Sequence, residues 1–210
     1  MTNFWAPTPN INAYTNLLKA AYPAIKSADQ NATVITGGLA SADNAPNQIE
    51  QLTFLRGIYQ AGGKNFFDAV GHHPYSIPAP ASSVQPWSGW SKMGDTEVSM
   101  RSIMTENGDG AKLIWATEYG AATNGPGAIA TRYGYNPLSD PDHADEDWQA
   151  TFAHEAVAYV KQHPWLGPMM WYSYKDLGTD AGNTENFFGM LRADGSHKPV
   201  YDIFRHDLAR

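Results

Sequence analysis

The chain has 210 residues, enough to bury a core as one domain or as a large piece of one. Its apolar content of 42% is that of a globular protein, and its formal net charge of -7 disfavours nucleic acid and anionic membrane surfaces as partners. No apolar run is long enough to span a bilayer. The absence of cysteine excludes disulfides and thiolate metal sites.

Hydrophobic patterning predicts helices and strands in alternation. The first helix covers residues 10–28, with Asn10 as its N-cap and Pro23 as the point of a kink or break. Strands follow at 31–40, 66–75, 113–116 and 167–176, and helices at 48–61, 95–106, 147–161 and 200–208. A loop rich in proline and serine covers 76–90, and a long irregular segment precedes residue 145. Such alternation predicts parallel βα units, which suit half of an eight-stranded barrel or a small doubly wound sheet.

Polar and aromatic side chains collect where the predicted strands end. Glu118 follows the apolar run 113–116, and a carboxylate at the carboxyl end of a buried strand is where barrel enzymes place catalytic groups. The second strand ends near His73 and Tyr75, and the fourth contains Trp171. Because parallel strands end at the same edge of a sheet, we expect these four residues to share one concave face, with Glu118 at its centre.

Other kinds of site find little support in the sequence. The Gly37-Gly38 pair matches neither a dinucleotide fingerprint nor a phosphate loop, and no Gly-x-Ser-x-Gly nucleophile elbow occurs. His72 and His73 are adjacent, so on a strand they point to opposite faces and do not suit joint metal ligation. We therefore expect no cofactor and no metal.

Four segments of the chain carry a resemblance to one group of enzymes. They are His73-Pro74-Tyr75, Thr117-Glu118-Tyr119-Gly120, Trp171-Tyr172-Ser173-Tyr174-Lys175-Asp176 and Phe188-Gly189-Met190-Leu191-Arg192-Ala193-Asp194-Gly195-Ser196-His197-Lys198-Pro199. In this order they resemble strands six, seven and eight and the hairpin before the last helix in the retaining glycoside hydrolases of clan A. That group of barrel enzymes includes the cellulase-like family 5 and the xylosidase-like family 39.

The resemblance implies the C-terminal half of a (β/α)₈ barrel, about strands five to eight, as one partial catalytic domain over residues 1–210. It implies hydrolysis of β-glycosidic bonds in an oligosaccharide or polysaccharide, with retention of configuration. In that group Glu118 is the nucleophile, His73 and Tyr75 surround it, and Trp171 floors the sugar subsite. The implied partner is a carbohydrate substrate, while its sugar, its linkage and endo or exo action remain open.

One departure from the group bears on activity. Its Asn-Glu-Pro motif, whose Glu is the general acid/base, does not occur here, and Phe4-Trp5-Ala6-Pro7 resembles the segment that follows it. We expect that Glu to lie upstream of Met1. None of the other carboxylates considered for its role has a matching motif: Asp68, Glu97, Glu106 and Asp176. An inactive fragment or pseudoenzyme that binds carbohydrate without turnover is the alternative, and an unrelated doubly wound binding protein is a third hypothesis.

Half a barrel also predicts exposed edges. The chain should self-associate or be poorly stable, with Val34, Ile35 and Met169 on the exposed wall. In the loop 76–90, Trp87 and Trp90 either line a glycan cleft or pack within the loop. The location of the protein is open: full-length members of the group are commonly extracellular, whereas Met1 to Trp5 does not resemble a signal peptide.

Overall fold

The computed structural model describes residues 5–131 and 141–207. Its helices are α1 (Ile11–Ala28), α2 (Gln51–Gln60), α3 (Gly89–Gly94), α4 (Met100–Glu106), α5 (Glu146–Gln162) and α6 (Pro199–Asp207). Its strands are β1 (Leu39–Ala40), β2 (Ala69–His73), β3 (Leu113–Tyr119), β4 (Ile129–Ala130), β5 (His143–Ala144) and β6 (Leu166–Trp171). In this part of the chain, no helix is long and apolar enough to cross a membrane.

The main sheet is parallel and has the order β1-β2-β3-β6, while β4 and β5 pair separately. The predicted set of four parallel strands in chain order is therefore confirmed. Since each crossover between parallel strands contains a helix, the carboxyl ends of β1, β2, β3 and β6 meet at one edge. That edge contains the polar residues singled out above.

The core lies between one face of this sheet and its helices. It includes completely buried residues from α2, the α3–α4 segment, β3 and α5: Leu55, Ile58, Met93, Met104, Ile114 and Phe152. The helix predicted at 147–161 forms α5 and buries one apolar stripe: Phe152, Ala156 and Tyr159 are buried, and Trp148 packs against the same cluster. Burying this stripe holds α5 against the sheet between β3 and β6.

Local capping explains where two of the helices begin. The Asn10 carboxamide accepts a hydrogen bond from Ala13 N at 2.9 Å, which confirms the predicted N-cap of α1. Asp145 caps α5 in the same way by accepting from Trp148 N at 2.6 Å. Of the two effects predicted at Pro23, the break is wrong, because α1 continues through this residue to Ala28.

The structure also corrects three other expectations. The strand predicted at 31–40 is reduced to β1 at Leu39–Ala40 and an isolated bridge between Ile35 and Ala69. The predicted exposure of Val34 is wrong, since this side chain is buried beside β2. The loop predicted at 76–90 runs into a short helix, α3, which the sequence pattern did not indicate.

Candidate active site

Glu118 lies near the carboxyl end of β3, beside the residues that follow β2. The Tyr75 hydroxyl donates a hydrogen bond to Glu118 Oε1 at 2.7 Å. His73 Nδ1 lies 3.7 Å from Glu118 Oε2, beyond ordinary hydrogen-bond length. Three of the predicted site residues are thus brought together, and Glu118 keeps about a third of its side chain exposed.

The protonation states of the neighbours suit an ionised carboxylate. Burial, followed by the hydrogen bond to Glu118, raises the pKa of Tyr75, so its phenol keeps its proton and remains a donor. Burial lowers the pKa of His73, and the charge of Glu118 only partly opposes this effect. At neutral pH the carboxylate therefore has a neutral phenol and a neutral imidazole beside it.

The position of His73 depends on the glycine that directly precedes β1. A Cβ atom on Gly38 would lie 1.9 Å from His73 Nε2, so no other residue fits here without moving the imidazole. The Gly37-Gly38 pair, which matched no nucleotide motif, thus has a packing role: Gly38 leaves room for the ring beside Glu118.

His72 points away from Glu118, as its place on β2 predicts. Its ring is fully buried, with Nδ1 at 2.5 Å from Leu39 O and Nε2 at 3.1 Å from Gly89 O. Burial lowers its pKa to about 4 despite these two carbonyls. His72 therefore connects β2 to β1 and to the start of α3 as a neutral ring.

The expectation that Trp171 shares the face of Glu118 is wrong. Trp171 pairs in register with Tyr119, and its ring contacts Tyr119 at 5.8 Å and Phe204 of α6 at 5.3 Å between centroids. Tyr119 follows Glu118 in the strand and is fully buried on the helix side, so Glu118 points the other way. The substrate-binding role that the resemblance gives to Trp171 has no support from this position.

Tyr172 lies on the Glu118 side instead. Its ring packs against Phe188 at 5.2 Å between centroids, and Phe188 also contacts Tyr75. The pKa of Tyr172 is raised by burial, by the hydrogen bond to Glu185 and, more weakly, by the charge of Glu118. Neither Tyr172 nor Glu185, whose carboxylate accepts this bond at 3.0 Å, was predicted as a site residue, although Tyr172 belongs to the segment that resembles strand eight.

A register change in the sheet explains the exchange of Tyr172 for Trp171. From Ala116 to Tyr119, β3 advances three residues while β6 advances two, from Met169 to Trp171. Such a bulge reverses which face each later residue occupies. The sequence alone predicts that residues alternate between the two faces of a strand, and it does not indicate where a bulge interrupts this alternation.

Three of the four carboxylates considered for the second catalytic role are engaged elsewhere. Asp176 accepts hydrogen bonds from Gly189 N and from Lys198 Nζ, both at 2.8 Å, in a buried network below the last hairpin. Asp68 precedes β2 and pairs with Lys26 at 2.8 Å. Glu106 pairs with Arg56 on the surface. These three therefore do not form a pair of carboxylates with Glu118.

A cavity of about 420 Å³ opens beside Glu118. Its size is within the usual range for small-molecule sites. Its walls are mainly apolar and aromatic, with Glu118 and His73 as ionisable groups. The lining consists of Trp5, Pro9, Tyr14, Gly37, Gly38, Leu39, Ala40, Ala42, Ile49, Gln51, Phe54, His73, Tyr75 and Glu118. Within the described residues, no cluster of three or more His, Asp or Glu side chains suits a metal ion.

No protein-family model matches the chain, and no curated protein matches it in sequence. Among solved structures, it is similar to a family 39 glycoside hydrolase from the gut symbiont Bacteroides cellulosilyticus WH2, with TM-score 0.63 and 25% identity over 90% of this chain and 35% of that chain. The family 39 enzyme from Xanthomonas axonopodis pv. citri gives TM-score 0.60 and 18% identity over 100% and 38%. A monomeric β-xylosidase from Caulobacter crescentus CB15 gives 0.59 and 18% over 100% and 39%.

These comparisons define the class of protein. The chain has an α/β fold with a parallel sheet that matches part of a glycoside hydrolase TIM barrel, which confirms the predicted fold class. The predicted likeness to family 39 and other clan A glycoside hydrolases is confirmed as a structural similarity. The chain spans little more than a third of the length of these structures.

Proposed function

We propose that this chain carries the nucleophile side of a retaining β-glycosidase site, with Glu118 as the nucleophile. The observation that supports this most is the pairing of Glu118 with the Tyr75 hydroxyl at the mouth of an aromatic cavity. A neutral tyrosine that donates to one carboxylate oxygen fixes the orientation of that carboxylate. The other oxygen lies 3.7 Å from His73 Nδ1, beyond a close hydrogen bond, and Glu118 lines the cavity.

The proposed reaction begins with attack by a Glu118 oxygen on the anomeric carbon of a β-glycoside. The bond from that carbon to the leaving oxygen breaks, and the leaving group departs with the electron pair. In complete retaining sites a second carboxyl group, about 5–5.5 Å away, protonates that oxygen and later activates water. General acid/base help of this kind is typically worth about 10²–10⁴-fold in rate.

The test uses an activated aryl glycoside, whose aryloxide departs without help from an acid. We expect the 210-residue chain to release a burst of the aryl alcohol close to one equivalent and then to turn over slowly. The peptide that contains Glu118 should gain the mass of one sugar residue. Unactivated polysaccharides should be hydrolysed very slowly or not at all. The burst and the mass gain are measured by absorbance and by peptide mass spectrometry.

Two substitutions separate chemistry from binding. Glu118→Gln keeps the size and shape of the side chain but removes the nucleophile, so it should abolish both burst and mass gain. Glu106→Gln, at an exposed ion pair on α4, is the matched control and should retain both. A sugar attached to a different residue would exclude Glu118 as nucleophile. Rapid steady turnover would instead show that another carboxylate completes the site, and Glu185 is the one to substitute next.

The alternative, carbohydrate binding without turnover, is favoured by one observation: three of the four carboxylates considered for the second catalytic role are engaged elsewhere. Isothermal titration with the same glycoside and with its unreactive thio-linked analogue separates the two hypotheses. Binding of the analogue without any burst from the aryl glycoside would support a carbohydrate-binding chain and exclude the proposed chemistry.

A further inference from the structure

A second cavity of about 410 Å³ lies next to the Glu118 cavity. The two cavities share Ala42 and Tyr75, so Tyr75 faces both while its hydroxyl holds Glu118. The other residues that line the second cavity are Ser41, Asp43, Ser76, Ile77, Trp87, Lys92, Asp142 and Phe188. Ala42 and Tyr75 therefore lie where the two cavities adjoin.

Trp87 is the most unusual residue of the second cavity. Its side chain is 48% exposed, and among the described residues no other aromatic ring packs against it. Trp is normally well buried, so an indole at a cavity mouth with so much apolar area in water suggests a binding surface. Trp90, three residues later in α3, is fully buried against Tyr119 and Tyr159, so the two neighbouring indoles differ sharply in exposure.

The loop that carries Trp87 is internally braced. Ser88 N donates to Gln85 O at 3.0 Å, and Gln85 N donates to Ser91 Oγ at 3.0 Å, so the residues on both sides of Trp87 are tied together. The buried Trp90 anchors the same loop to β3 and α5. Trp87 is thus held at the cavity by a fixed backbone, which lowers the entropy lost when a ligand orders it.

The polar groups of the cavity suit a neutral polyol. Asp43 offers carboxylate oxygens that accept hydrogen bonds from hydroxyl groups, and Asp142 offers Oδ2, since its Oδ1 lies 2.6 Å from His143 Nδ1. Lys92 is the cation of the lining, and its ammonium is already paired with Glu50 at 3.4 Å. The balance of charge is therefore negative, which repels an anionic sugar. An aromatic face with nearby carboxylates matches a pyranose, because its C–H face packs on indole while its rim carries hydroxyls.

We propose that the second cavity binds a second, neutral sugar residue of a β-linked oligosaccharide whose first residue lies at Glu118, with Trp87 as the stacking surface. This proposal rests on the proposed function, since it assigns the substrate class of the same cleft. It makes the preferred ligand a disaccharide or longer, and it makes Trp87 a binding residue and not a catalytic one.

The experiment measures binding of named sugars to the purified 210-residue chain by isothermal titration. The probes are xylose, glucose and galactose, their β-linked disaccharides, and one disaccharide with a terminal glucuronic acid. For at least one sugar, we expect the disaccharide to bind about three- to tenfold more tightly than the monosaccharide, as one aromatic contact predicts. The uronic acid disaccharide should bind more weakly than the neutral one.

Substitutions in the loop then locate the preference. Trp87→Ala should remove the advantage of the disaccharide, and Trp87→Phe should retain part of it. Val84→Ala is the matched control, because Val84 is 63% exposed in the same loop but does not line the cavity. Thermal unfolding of each variant checks that the loop change leaves the fold intact.

The outcomes for the two proposals are separable. A Trp87→Ala chain that keeps the disaccharide preference, a Val84→Ala chain that loses it equally, or a wild-type chain that binds none of the sugars overturns the inference. If Glu118 is labelled by the aryl glycoside but no disaccharide preference exists, the inference fails and the proposed function stands. If the preference depends on Trp87 but Glu118 is never labelled, the chemistry fails and the second sugar position stands.

Discussion

Gly37 and Gly38 are adjacent, but only Gly37 has room for a side chain. We predict that Gly38→Ala destabilises the fold by about 1–3 kcal/mol, the usual effect of overpacking, because its Cβ would lie 1.9 Å from His73 Nε2. The displaced ring should also slow the labelling of Glu118 by an aryl glycoside. Urea unfolding measures the first effect, and the rate of the burst measures the second.

Gly37→Ala is the control for this prediction. The nearest atom to its Cβ is Tyr14 Oη at 3.4 Å, an ordinary contact, so stability should change by less than about 0.5 kcal/mol. Equal losses in the two variants would show that the backbone of this loop, and not the space for His73, sets the requirement for glycine.

The site residues differ in how well the sequence could place them. Glu118, His73 and Tyr75 were predictable because each lies at or just beyond a strand end, and parallel strands end at one edge. Trp171 was misplaced by one position, since the face of a strand residue depends on register and the bulge in β3 changes that register. Glu185 lies outside the strands in the turn Thr184–Phe187, where no periodic pattern gives its direction.

At the scale of elements, long helices were easier to predict than short strands. The helix α5 has a buried stripe and an acidic first turn, so both its type and its limits follow from sequence. The strand β1 is far shorter than the strand predicted at 31–40: only Leu39 and Ala40 pair with β2 as a strand, opposite His72 and His73. The short α3 depends on the burial of Trp90 and Met93 by other elements, which local propensity does not contain.

The contact of β2 with β1 and α3 through His72 predicts a pH-dependent stability. Burial lowers the pKa of His72 from its ordinary value of 6.5 to about 4 in the folded chain. Between these values the unfolded state binds the proton and the folded state does not, so stability falls as the pH decreases from about 6.5 to about 4. The full effect is on the order of 3 kcal/mol, and His73 adds to it in the same direction.

Urea unfolding at a series of pH values between 4 and 7 tests this prediction. His72→Asn should unfold more easily at neutral pH but lose much of the dependence, because the amide does not titrate. His154→Asn is the control: His154 is 59% exposed beside Asp207, so the dependence should remain close to that of the wild type. A His72→Asn chain with an unchanged slope would assign the dependence to other groups.

At the scale of the whole molecule, the described sheet is open at both sides. The strands β1 and β6 each pair with one neighbour in the order β1-β2-β3-β6, and the structures it matches are barrels of which it covers about a third. Apolar side chains left exposed in and after β6 are Met170, Tyr174 and Leu177.

This exposed apolar surface predicts self-association of the 210-residue chain. Met170 is 41% exposed on the edge strand β6, between Met169 and Trp171, which pack toward the core. An apolar side chain on an unprotected edge favours pairing with another strand, and a lysine there opposes it. We therefore expect sedimentation velocity to show association that increases with concentration, and Met170→Lys to shift the chain toward monomer.

Leu17→Lys, at a residue 53% exposed on the helix α1, is the matched control and should leave association unchanged. A wild-type monomer at all concentrations, with one cooperative thermal transition, would show that the chain protects its own sheet edges.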